Sequence, residues 1–107
     1  MAIVQKSFDT YVMSCYTAPL NQVIFDCYKG TTNVGRIVLY EGTNIPANAN
    51  YPTSGPSLNF PMSSLEAITG MLRYEKPLSL YLNTDNLLGY IMTSGGEPVG
   101  EQEQITP

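Results

Sequence analysis

The sequence predicts an α+β fold, an antiparallel β-meander of about six strands with a single α-helix packed on one face. Three observations carry this expectation. Short runs of alternating apolar and polar residues recur between turn-forming clusters. One segment alone, near residues 64–75, places apolar residues at helical spacing. The length of 107 residues and a hydrophobic content of 43% suit one domain with its own core. A single domain over residues 1–98 is expected, followed by an acidic, flexible tail over 99–107.

From Phe8 to Tyr16 the chain is rich in aromatic and β-branched residues, with Tyr11, Met13 and Cys15 on one face and Phe8, Thr10, Val12 and Ser14 on the other. Ala18-Pro19-Leu20-Asn21 supplies a turn, because proline presets φ and asparagine tolerates tight backbone. Gln22 to Tyr28 resumes the alternation with Val23, Phe25 and Cys27 on one side. After the polar connection Lys29-Gly30-Thr31-Thr32-Asn33, Gly35 to Tyr40 gives a third strand. Residues 41–57 hold three prolines and two glycines, too many breakers for a regular element. A loop of that length is read either as a lid, arm or subunit contact or as a plain surface excursion.

Leu58-Asn59-Phe60 is a short strand that Pro61 discourages from continuing. Ser63 and Glu66 have capping-box spacing, and Leu65, Ile68, Met71 and Leu72 share a helical face, so a helix is expected from about Ser64 to about Glu75. Pro77 stops it. Leu78, Leu80 and Leu82 alternate with Ser79 and Tyr81, and after the turn at Asn83-Thr84-Asp85-Asn86 the chain returns over Leu88 to Thr93. The strand, helix, strand unit over 58–82 is expected to be a right-handed crossover. One helix of this length leaves part of the sheet uncovered, so either the sheet curls into a partial barrel or its open face pairs with another subunit.

The charge balance narrows the partner classes. A net charge of −4 with five scattered bases, Lys6, Lys29, Arg36, Arg73 and Lys76, lacks the clustered footprint that phosphate contacts need. A nucleic-acid partner is therefore not expected. Glu97, Glu101 and Glu103 concentrate the acidity in the tail. Residues 1–6 carry no basic segment followed by a leader-like apolar stretch, and no run reaches the ~18 residues that span a bilayer. The expectation is a soluble, cytoplasmic protein with no membrane contact, in which Cys15 and Cys27 are free thiols inert within strands.

No histidine is present, and neither Ser63 nor Ser94 has a visible base to activate it. Asp9 and Asp26 lie in strands, but their spacing does not demand a catalytic pair, and solvent-facing positions are the reading adopted. The protein is not expected to be an enzyme, and no cofactor or metal is expected. Thr93-Ser94-Gly95-Gly96 could form a nest of N–H groups for an anion, with Arg36, Arg73 or Lys76 as countercharge, although a plain turn explains the same residues. Arg73 at the helix end also suits the helix dipole. Tyr11, Tyr28, Tyr40, Tyr81 and Tyr90 on strands are candidates for a subunit interface, since tyrosine is enriched there.

The segment Leu72-Arg73-Tyr74-Glu75-Lys76-Pro77-Leu78-Ser79-Leu80-Tyr81, with Glu97-Pro98-Val99-Gly100-Glu101 downstream, resembles a pattern in small uncharacterised bacterial proteins. The resemblance implies that the Glu-Pro-Val-Gly-Glu stretch belongs to the domain rather than to a tag. It implies no activity and no site residues. The function expected from the residues is a non-enzymatic, homo-oligomeric binding or assembly module that contacts a protein partner. The alternatives are binding or sequestering of a nucleotide-like small molecule and, behind it, single-stranded nucleic-acid binding.

Overall fold

The structure is a computed structural model that describes residues 2–75 and 77–93. The proposed nest residues Ser94, Gly95 and Gly96, the Glu-Pro-Val-Gly-Glu stretch and the acidic tail lie outside the described residues. The fold class is α+β, but the described residues form eight strands in two sheets rather than one six-strand meander. A three-stranded sheet has the order β1 (Ile3–Phe8), β7 (Leu78–Asn83), β8 (Gly89–Thr93). A five-stranded sheet has the order β2 (Thr10–Cys15), β3 (Gln22–Lys29), β4 (Thr32–Tyr40), β6 (Gly55–Pro61), β5 (Ala49–Tyr51).

The run expected as one strand over Phe8 to Tyr16 is the second half of a longer extended segment that bends at Asp9. Before the bend the chain pairs with β7 from Ile3↔Asn83 to Phe8↔Leu78; after it, the chain pairs with β3 from Thr10↔Tyr28 to Cys15↔Val23. A strand that changes sheets at a bend is a common way to make a corner between packed sheets. The Asp9 N–H donates to the Tyr28 carbonyl at 2.9 Å and its carboxylate accepts the Gly30 N–H at 3.3 Å, so both halves of the residue hold the corner.

The segment over 41–57 is a crossover, not a single loop. Strand β6 lies parallel to β4, from Arg36↔Ser57 to Tyr40↔Pro61, and parallel pairing obliges the chain to travel back along β4 before it can start β6. Residues 41–48 and β5 make that return, and β5 then forms an antiparallel hairpin with β6. Just before β5 begins, Asn48 continues the edge with its side chain: its side-chain oxygen accepts the Asn59 N–H at 2.7 Å, and its amide donates to the Leu87 carbonyl at 3.0 Å. The Asn59 amide in turn donates to the Ala47 carbonyl at 2.9 Å. Two asparagines thus pin the crossover to the edge of the five-stranded sheet and to the β7–β8 turn.

Gly55 closes the β5–β6 hairpin with φ of 85°, and a Cβ there would collide with the Val34 carbonyl oxygen. Gly35 is required for a different reason, because a Cβ would lie 2.7 Å from the Pro56 carbonyl oxygen.

The core lies between the sheets. Phe25, Cys27, Ile37, Leu39 and Leu58 from one and Phe8, Leu78, Leu80 and Leu82 from the other form one buried cluster, which Ile68 of the helix joins. Full burial of a side chain of this size contributes about 1.5–3 kcal/mol. The second sheet, not a curl or a partner, therefore covers most of the face expected to be left open. The helix α1 (Leu65–Tyr74) follows a 3-10 turn over Met62–Ser64. That turn replaces the expected capping box, and the N-cap residue Ser64 makes no side-chain cap hydrogen bond. Because β6 and β7 belong to different sheets, the helix is not a crossover within one sheet and the handedness rule does not apply.

Replacing Gly55 by alanine should destabilise the protein by about 1–3 kcal/mol from the positive φ alone, read as a lower urea midpoint at unchanged slope. Gly70 sits inside α1 with open space around it. Gly70→Ala should therefore stabilise the protein by about 0.5–1 kcal/mol and raise the midpoint.

Candidate binding surface

Residues directly opposite one another in an antiparallel pair share a face, so the register assigns Tyr11, Met13 and Cys15 of β2 to the core-facing side, beside Cys27, Phe25 and Val23. Only β3 is then under cover. Phe25 is 0% exposed, whereas Met13 on the same row is 45% exposed, because the three-stranded sheet is too narrow to reach over β2. The Tyr11 ring meets the Phe25 ring edge-on at 5.9 Å, and this contact links the bare row to the core. On the opposite face of β2, Val12 is 53% exposed, and the following turn presents Tyr16 and Leu20. The strand carries apolar side chains to solvent on both faces.

The backbone of β2 is open as well. Among the described residues it pairs with β3 alone. Tyr16 donates its N–H to the Gln22 carbonyl at 2.8 Å, and antiparallel ladders alternate, so the even-numbered residues of β2 turn their N–H and C=O groups toward β3. Tyr11, Met13 and Cys15 turn theirs outward. Natural edge strands are commonly protected by charge, proline or short length. Strand β2 is six residues long and holds no charged residue and no proline.

Next to this row, a groove of about 760 Å³ runs between the Asp9 corner and the end of α1. Phe8, Tyr11, Leu72 and Leu78 give it apolar walls, and its charged lining is balanced, Lys29 and Arg73 against Asp9 and Glu75. A second concavity of about 420 Å³ lies on the outer face of the five-stranded sheet and contains Arg36, Tyr40, Tyr51 and Ser57. Arg36 there faces Asp26 across the ladder at 3.1 Å. Burial first, and then the neighbouring Tyr51 phenol, push the Tyr40 phenol above its ordinary pKa, while Arg36 opposes them.

The candidates drawn from the sequence thus separate. Arg73 and Tyr11 line the groove, and Arg36 and Tyr40 line the outer cleft, so the two arginines do not share a site. Tyr81 and Tyr90 stack on each other at 4.4 Å on the three-stranded sheet, away from both concavities. Tyr28 lies opposite Asn33 at a bulge and lines neither. Thr93 ends β8, and the rest of the proposed nest lies outside the described residues. Asp9 and Asp26 form no pair, since one holds the Gly30 N–H and the other Arg36. The open edge of β2 was missed by sequence reasoning. Its alternation is visible in the sequence, but the narrowness of the sheet above it is not.

No family model, curated protein or solved structure matches this chain. Among the described residues no group of side chains could hold a metal ion, and no helix is long and apolar enough to cross a membrane.

Both cysteines are free, but they are not alike. Cys27 is fully buried, and burial, with Asp26 adding to it, pushes its thiol up to about 12. Cys15 is exposed on the open row, which corrects the expectation that both are inert core thiols. Four positions of ladder, ~13 Å at ~3.3 Å per residue, separate them, beyond the reach of a disulfide. Ellman's reagent at pH 8 should titrate one thiol per native chain and two in denaturant. Because Cys27 keeps its proton when folded and loses it when unfolded, its contribution to stability should be intact below pH 9 and be lost as the pH rises toward 12.

Proposed function

We propose that this protein is a non-enzymatic assembly module that binds a protein partner by accepting an added strand along β2. The observation that carries this reading is the edge itself: outward N–H and C=O groups at Tyr11, Met13 and Cys15, with no charge on the strand and apolar side chains bare on both faces. In strand addition, main-chain hydrogen bonds provide affinity and pockets for alternate side chains provide selectivity. The groove beside Tyr11, with its apolar walls and a rim of both signs, Lys29 and Arg73 with Asp9 and Glu75, offers room for such side chains.

A second reading, small-molecule binding, is favoured by the outer cleft. A guanidinium, two phenols and the buried Ser57 there could orient a planar anionic ligand. It ranks second because Asp26 already neutralises Arg36. In its favour would be a rise in melting temperature with a panel of aromatic acids and nucleotides that disappears in Arg36→Gln.

A photo-cross-linking side chain tests the first reading. Benzoylphenylalanine in place of Tyr11 should capture protein in extract of the producing cells, while the same group in place of Tyr81, on the opposite sheet, should not. Equal labelling at both positions, or none at either, would overturn the assignment of β2 as the docking edge.

A further inference from the structure

Asp26 balances the charge of Arg36, which counts against an anion in the outer cleft and favours an uncharged ligand there. Resting on the small-molecule reading of that cleft, and independent of strand addition at β2, we infer that its ligand is the ring of a neutral sugar.

The floor of the cleft follows from the register. Ile24 lies opposite Val38, one position out of step with the core pair Phe25↔Ile37, so it stands on the face turned away from the core. Both residues are nevertheless buried, and neither belongs to the core cluster. They give the cleft an apolar base. Groups of another kind surround it. Asp26, Arg36 and Ser57 form one row across β3, β4 and β6 on that same face. Ser57 is only 8% exposed, yet its hydroxyl lines the cleft and bonds to no described residue. A buried hydroxyl without a partner costs free energy that a water or a ligand has to offset. The phenols of Tyr40 and Tyr51 and the Gln22 amide also line the cleft without a described partner. The phenols and the guanidinium face one space, since Tyr51 and Arg36 both act on the Tyr40 phenol.

This division, apolar beneath and hydrogen-bonding around, is that of a sugar ring, whose faces carry C–H groups and whose rim carries hydroxyls. A hydroxyl both donates and accepts. So do a serine, a phenol and a primary amide, and each can serve a sugar hydroxyl in either sense. The volume of about 420 Å³ falls within the range of small-ligand sites, about 300–1,000 Å³.

Amide-resolved NMR tests this, with the full chain titrated against a panel of neutral monosaccharides and their short oligosaccharides. Benzoate, phosphate and adenosine serve as probes of other ligand classes. At least one sugar should give saturable shifts at the amides of Ile24, Val38 and Ser57 and leave those of Tyr81 and Tyr90 in place. The affinity should be the same at low and high salt, because an uncharged ligand has nothing to screen. Ser57→Ala should weaken binding roughly fivefold, the loss expected for one neutral hydrogen bond, with the rest of the spectrum unchanged. Tyr51→Ala, which trims an exposed side chain, should weaken it as well. Oligosaccharides that bind no tighter than their monosaccharide would assign a free sugar, and tighter binding would assign a sugar chain.

Two results would overturn the inference: no sugar shifting the cleft amides at tens of millimolar, or sugar shifts that both variants leave intact. If benzoate, phosphate or adenosine binds the cleft and no sugar does, the sugar is wrong and the small-molecule reading stands. If no probe of any class binds there, both fail.

Discussion

The bend at Asp9 is the constraint on which the rest of this molecule depends. It divides one extended segment between two sheets, and its two hydrogen bonds to the β3–β4 hairpin set where the division falls. Phe8, just before the bend, is buried in the core; Tyr11, just after it, is a third exposed. Every strand after that point has to close a sandwich whose two layers differ in width. The three-stranded layer covers β3, β4 and β6 and stops short of β2. The open edge is thus a product of the architecture and not of a poorly chosen sequence.

Parallel pairing of β4 with β6 imposes the second constraint. A hairpin could not bring the chain back to the start of β4, so the crossover over 41–57 is long by necessity, and length invites fraying. The pair Asn48 and Asn59 answers that cost by extending the sheet edge with side-chain amides where strand residues run out.

Much of this was legible in the sequence, and the exceptions share a cause. Period-two alternation located β3, β4, β7 and β8 within a few residues, and apolar spacing located α1, because those patterns record which face is buried. Strand β1 was not seen: Ile3, Val4, Gln5, Lys6 and Ser7 lack alternation, and Lys6 sits on the inward row opposite Leu80, where its long stem lets the charge reach solvent. Strand β6 was shortened because Pro56 and Pro61 argue against a strand, yet they fall at its two ends, where a missing N–H costs little. Sheet membership has no local signature, so nothing in residues 58–82 announced that β6 and β7 part company. Tyrosine content suggested contact, but which tyrosine stands on an open row depends on the width of a sheet built from the opposite end of the chain.

The most direct test of this account is amide hydrogen exchange, residue by residue, at a concentration low enough to hold the chain as a monomer. The account predicts alternation along β2, with Tyr11, Met13 and Cys15 exchanging fast and Val12 and Ser14 protected by their bonds to β3. Uniform protection along the strand would mean that another segment of the same chain already covers the edge, and would contradict the claim that β2 is open to a partner.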